Sequence, residues 1–116
     1  MAMALVVDVY ETTKCFPKQE LYGLASQMQR AAVSVPSNIA EGQTRDHTAE
    51  YLHHISIAQA SLAELETQVE IASMIGYCHE VQLSEVLAKV VAVQKQLYLL
   101  RNALREKQRA ARVSER

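Results

Sequence analysis

The sequence predicts an all-α fold, an antiparallel up-down-up-down four-helix bundle. Three observations predict it. Apolar residues recur at alternating spacings of three and four over long segments, which keeps one stripe of each helix facing its neighbours. Only three glycines and two prolines occur in 116 residues, too few turns for a β-sandwich. One domain of this length can bury a real core, and 49% of its residues are apolar, enough to fill one.

The first helix is expected over residues 2–15, with Leu5, Val6, Val9 and Tyr10 on its apolar face. Phe16-Pro17 ends it, because proline disfavours helical geometry in the residue before it. Pro17 suits the first position of the second helix, residues 17–42, where its missing N–H costs nothing. Its stripe runs Leu21, Leu24, Met28, Ala31, Val35, Asn38, Gly42. The third helix, 45–76, carries Tyr51, Ile55, Ala58, Leu62, Leu65, Val69, Ala72 and Gly76, with Thr44 or Thr48 as cap and Asp46 and Glu50 in its first turn. Gly76 marks its end. The fourth, 80–110, carries Leu83, Val86, Val90, Val93, Leu97, Leu100 and Leu104. Residues 111–116 are expected to fray. Further apolar residues flank the stripes (Leu52, Ile71, Ile75, Leu87, Val91, Leu99), so the bundle is globular or buries an outer face in a homo-oligomer.

Pro36 and Asn38 interrupt the second stripe. A helix that stops at Val35 and restarts with Asn38 as cap leaves too little chain before Gly42, so one continuous helix bent at Pro36 is expected. An interior proline costs an isolated helix about 3 kcal/mol, and packing must offset that. Counting across the turn puts Asn38 level with Tyr51 and His54. The Tyr51 hydroxyl, His54 and the carbonyl released at the bend are its candidate partners. A seam amide of this kind fixes register.

Net charge is −1, but residues 1–88 sum to −7 and residues 89–116 to +6. Arg101, Arg105, Arg109 and Arg112 fall at spacings of four, four and three, one face of a helix that persists that far. The stripe is a candidate surface for RNA or DNA, or else a solvated helix end whose cations suit the macrodipole.

Signs of catalysis are few. No phosphate-cradling glycine loop, nucleophile elbow or HExxH occurs. Glu50-Tyr-Leu-His53 is one ExxH, half of what a di-iron bundle needs, and His53 and His54 point about 100° apart. Both are read as chance on a solvated face. Cys15 and Cys78 lack CxxC spacing and suggest neither zinc nor a disulfide framework. The expectation is a non-enzymatic cytoplasmic protein without cofactor or metal. No membrane span is expected either, since no run of about 18 apolar residues exists.

The stretches FPKQELYGLASQMQRAAVSVPSNIAEG and SIAQASLAELETQVEIASMIGYC closely resemble the four-helix-bundle family of 23S rRNA intervening-sequence proteins. The matching residues include Phe16, Pro17, Glu20, Tyr22, Gly23, Gln27, Arg30, Ser34, Asn38 to Gly42, Ser61, Leu62, Glu64, Gly76 and Tyr77. The resemblance implies a barrel-like homopentamer with no assigned enzymatic activity. It also implies a relation to accessory variability determinant proteins of diversity-generating retroelements, which work with a reverse transcriptase and its RNA. The family's first helix begins earlier, so either the chain start is truncated or a short first helix leaves a groove uncovered. The resemblance also draws attention to a polar ladder of Gln27, Arg30, Ser34, Asn38 and Glu41, facing Ser61 and Glu64 on the next helix. A dry Arg30–Glu64 pair would make loss of either partner cost about 3–5 kcal/mol. The function expected is that of an oligomeric interaction scaffold for an unidentified protein partner. The alternative is a nucleic-acid-binding accessory factor using the arginine stripe.

Overall fold

Where the apolar stripes run uninterrupted, the helices follow them. The computed structural model describes residues 1–115. It contains α1 (Ala2–Thr13), a 3-10 turn (Lys18–Glu20), α2 (Leu24–Gln43), α3 (Thr48–Ile75) and α4 (Glu80–Ser114). Each helix packs on the next and α4 closes back onto α1, which gives a four-sided bundle and a rod of 59 × 22 × 19 Å.

The core is the predicted seam. Leu5 and Val9 of α1 share one core with Met28, Ala32 and Val35 of α2, Ile55, Leu62, Leu65 and Val69 of α3, and Val86, Val90, Val93 and Leu97 of α4. Each fully buried Leu, Ile, Val or Met contributes about 1.5–3 kcal/mol relative to exposure. Ala31, Ala58 and Ala72 are small seam residues that let α2 and α3 approach closely. One pair ties the short α1 to α4: the Asp8 carboxylate bonds the Lys89 ammonium and raises its pKa.

The helix ends depart from expectation for local reasons. α1 stops at Thr13, two residues early, because the Thr13 hydroxyl bonds the Tyr10 carbonyl at 3.1 Å and the next N–H groups bond only three residues back. Pro17 is extended and does not start α2. Gly23, at φ −109° and ψ −117°, breaks the chain again, so α2 begins at Leu24 and leaves Leu21 exposed. α3 starts at Thr48 with His47 as an N-cap that makes no side-chain bond. Thr44, a predicted cap, instead bonds the Glu41 carbonyl at the end of α2. Gly76 closes α3 at φ +83°, the left-handed conformation that glycine adopts without a Cβ clash.

α2 runs unbroken through Pro36, as expected. α4 runs to Ser114, so residues 111–114 are helical and not frayed. Its last ten residues follow the last buried side chain, Leu104. Of the predicted tail, Arg116 lies outside the described residues. At 12 residues, α1 spans about 18 Å against about 52 Å for α4, so among the described residues α1 runs along only part of α4.

Candidate functional site

The polar ladder divides into a bonded half and an open half. Ser34 and Asn38 are four apart, so the helical repeat stacks them on one face of α2 towards α3. Asn38 donates its amide N–H groups to the Ser34 carbonyl (2.8 Å) and the Ser34 hydroxyl (3.0 Å). Ser61, 8% exposed on α3, donates to the same Ser34 hydroxyl at 2.8 Å. On its other side, Asn38 Oδ1 lies 3.0 Å from His54 Nδ1. An amide oxygen can only accept, so this contact requires the proton on Nδ1. Glu41 Oε2 stands further off, at 3.7 Å from the same nitrogen.

Of the partners foreseen for Asn38, His54 is present. The Tyr51 hydroxyl makes no bond to it, and the carbonyl used is that of Ser34, not the one released by Pro36. His54 is accordingly not a residue of the solvated face, whereas His53 and Glu50 are exposed there, so the ExxH points to water. Among the described residues no group of three or more His, Cys, Asp or Glu could hold a metal ion.

Gly42 explains how the two helices come so close at this level. A Cβ on it would lie 2.7 Å from Tyr51 Cδ1 and 3.1 Å from His54 Cβ. Real Cβ atoms essentially never come as close as 2.7 Å to another atom, so a side chain here would force the Tyr51 ring or the backbone to move.

Towards the other end of the seam the ladder opens. Gln27, Arg30, Ala31, Ser34, Ser61 and Glu64 line a cleft of about 330 Å³ between α2 and α3. Arg30 and Glu64 are both exposed, and among the described residues they form no ion pair within 4.0 Å, so the condition for a dry pair is not met. Glu64 Oε1 instead accepts from Gln68 at 3.1 Å. Two long exposed side chains gain little from meeting in water, which is why the pair does not form. Gln68, 5% exposed, carries an amide oxygen without a partner among the described residues. The sequence reading missed it, although its position between Leu65 and Ala72 on the seam marked it as an amide facing inward.

These roles separate by mutation. Asn38→Ala removes the bonds to Ser34 and His54 and is expected to cost about 1–2 kcal/mol in urea unfolding. Arg30→Ala is expected to stay within about 0.5 kcal/mol of the parent. An Arg30→Ala loss above about 3 kcal/mol would mean that the pairing exists in solution.

The arginine stripe does not form one uniform band. Arg101 is half-buried, its guanidinium 5.8 Å from the Tyr98 ring centre and its Nε buried without a partner among the described residues. Arg109 pairs with Glu106 one turn back. Arg105 and Arg112 are exposed.

The profile of the 23S rRNA-intervening sequence protein family matches residues 1–99. The chain belongs to that family. A search of curated proteins gave no match. The matched span takes in α1, α2, α3 and α4 as far as Leu99, so the whole polar ladder lies inside it. Arg101, Arg105, Arg109 and Arg112 all lie beyond it.

Proposed function

We propose that this intervening-sequence protein is a non-enzymatic scaffold subunit. Copies join side by side into a ring, the homopentamer that the family resemblance implies, and the ring recruits a protein partner in the cytoplasm. One observation carries the reading: two unlike apolar surfaces lie on opposite sides of the rod. On the α1/α2 side, Met3, Val7 and Tyr10 form an exposed stripe at spacings of four and three, and Val33 is exposed on α2. On the α3/α4 side, Val91, Tyr98 and Leu99 line a groove of about 600 Å³ with Gln59 and Gln94. The helices touch in chain order, so the α1/α2 and α3/α4 sides face away from each other.

Soluble monomers rarely leave stripes of large apolar side chains in water. Unlike surfaces on opposite sides join head to tail, and such a contact closes into a ring when the rotation between neighbours permits. Native mass spectrometry should give five times the 13.0 kDa of one chain. A species at 13.0 kDa throughout the micromolar range would sink the proposal. Among the described residues no helix is long and apolar enough to cross a membrane.

A second reading, an accessory factor binding RNA or DNA beside a reverse transcriptase, draws support from the helical state of residues 105–114. That helix keeps Arg105, Arg109 and Arg112 on one face. Titration of a structured RNA followed by fluorescence anisotropy distinguishes the two. Affinity falling by about 10³ or more between about 50 and 200 mM salt favours this reading. No binding at the lower salt removes it.

A further inference from the structure

Cys15 and Cys78 are 63 positions apart in sequence, in the turn after α1 and the turn between α3 and α4. The fold brings them to one atom. Cys78 Sγ donates to Gln82 Oε1 at 2.7 Å, and Cys15 Sγ donates to the same oxygen at 3.3 Å. The two sulfurs therefore cannot be further apart than those two lengths laid end to end. Around them the turns are clasped: Phe16 and Tyr77, each next to one of the cysteines, pack at a tilt of 52° with ring centres 5.4 Å apart. Cys78 Sγ also lies 3.6 Å from the Thr12 carbonyl. The sequence spacing gave no hint of a disulfide, because nothing local predicts that the end of α1 meets the start of α4.

We propose that Cys15 and Cys78 are a peroxide-sensitive dithiol, oxidised within one chain to a disulfide that locks α1 onto the α3/α4 turn. This site is independent of the scaffold reading. Cys15 is exposed and Cys78 half-buried, so a hydroperoxide reaches Cys15 first. Burial, with the Cys15 thiol as hydrogen-bonding neighbour, pushes the Cys78 thiol up to about 11, which keeps it protonated at neutral pH. The thiolate is the nucleophile in such chemistry, so the first attack falls to Cys15.

Cys15 loses its proton to solvent and attacks the terminal peroxide oxygen. The O–O bond breaks, the sulfur becomes a sulfenic acid, and water or an alcohol leaves. Cys78 sulfur then attacks Cys15 sulfur, the S–O bond breaks, and the departing hydroxyl takes the Cys78 proton as water. The thiol pair has lost two electrons and the peroxide has gained them. Both cysteines lie outside helices, so their backbones can adjust to disulfide geometry.

The test treats the purified chain with hydrogen peroxide and follows intact mass, a non-reducing peptide map and the melting midpoint. The expected result is loss of two hydrogens, a Cys15–Cys78 link within one chain, and a midpoint higher by about 10 °C. A thiol reductant should reverse all three changes, and neither Cys15→Ser nor Cys78→Ser should show them. Oxygen adducts on Cys15 without a cross-link, links only between chains, or no reaction would overturn the proposal. A link that leaves the midpoint unmoved would overturn the locking role.

Discussion

Leu99→Asp is expected to reduce the assembly to single chains of 13.0 kDa by native mass spectrometry. Leu99 is 67% exposed on α4 and lines the groove on the α3/α4 side, so the carboxylate meets water in an isolated chain and the fold is undisturbed. In an assembled ring the same carboxylate would be buried without a partner at every junction, at a cost of several kcal/mol each. Val7→Asp, on the α1/α2 side, should have the same effect for the same reason. The two variants together should behave differently from either alone. The Val7→Asp chain keeps an intact α3/α4 groove and the Leu99→Asp chain an intact α1/α2 stripe, so a mixture should form pairs of one chain each and nothing larger. A self-complementary interface could not give that result. If each variant retains the parent's mass, the apolar stripes are not the contact.

The second large effect is expected at Gly42. In an exposed helix, replacing glycine by a residue with a Cβ gains up to about 1 kcal/mol in propensity. Here the new Cβ would stand 2.7 Å from the Tyr51 ring and 3.1 Å from His54 Cβ. Overpacking of this kind costs about 1–3 kcal/mol, and Val adds two methyl groups at the point of contact. Gly42→Val should therefore lose about 3 kcal/mol, and the melting midpoint should fall by roughly 10 °C. The displaced His54 would also give up its bond to Asn38, so Gly42→Val combined with Asn38→Ala should cost less than the two single losses added. Additive losses would show that α3 yields elsewhere without moving His54.

What the sequence made legible was whatever depends on neighbours three or four positions away. The seam from Leu83 to Leu97 is buried as predicted, because a sustained stripe admits few other packings. The continuity of α2 through Pro36 was legible too, since the short remainder before Gly42 excluded a restart. Helix ends were less so: at Thr13 and Thr44 a hydroxyl bonds a nearby carbonyl, and at Gly23 the backbone leaves helical geometry, choices that periodicity does not encode.

In the candidate site, Asn38 could be matched with His54 by counting across one short turn. Arg30 and Glu64 lie at comparable levels, yet register alone does not say whether two flexible exposed side chains meet. The meeting of Cys15 and Cys78 depends on α4 closing onto α1, the most distant contact between helices in the chain, and no local pattern reports it.

That closure also governs the order in which the protein can form during synthesis. α1 leaves the ribosome before the other three helices, but among the described residues its backbone comes close only to α2 and α4. Its tie through Lys89 and its wall of Val86, Val90 and Val93 are translated some eighty residues later. Until then Leu5 and Val9 have half a binding site, and a 12-residue helix is marginal alone in water. The α2/α3 hairpin, built from sequential neighbours, is the natural nucleus, with α4 added next and α1 docking last. In the native state the order reverses. Amide hydrogens of α1 should exchange with solvent ahead of those in α3, which makes the N-terminal helix the segment that a protease or a chaperone meets first.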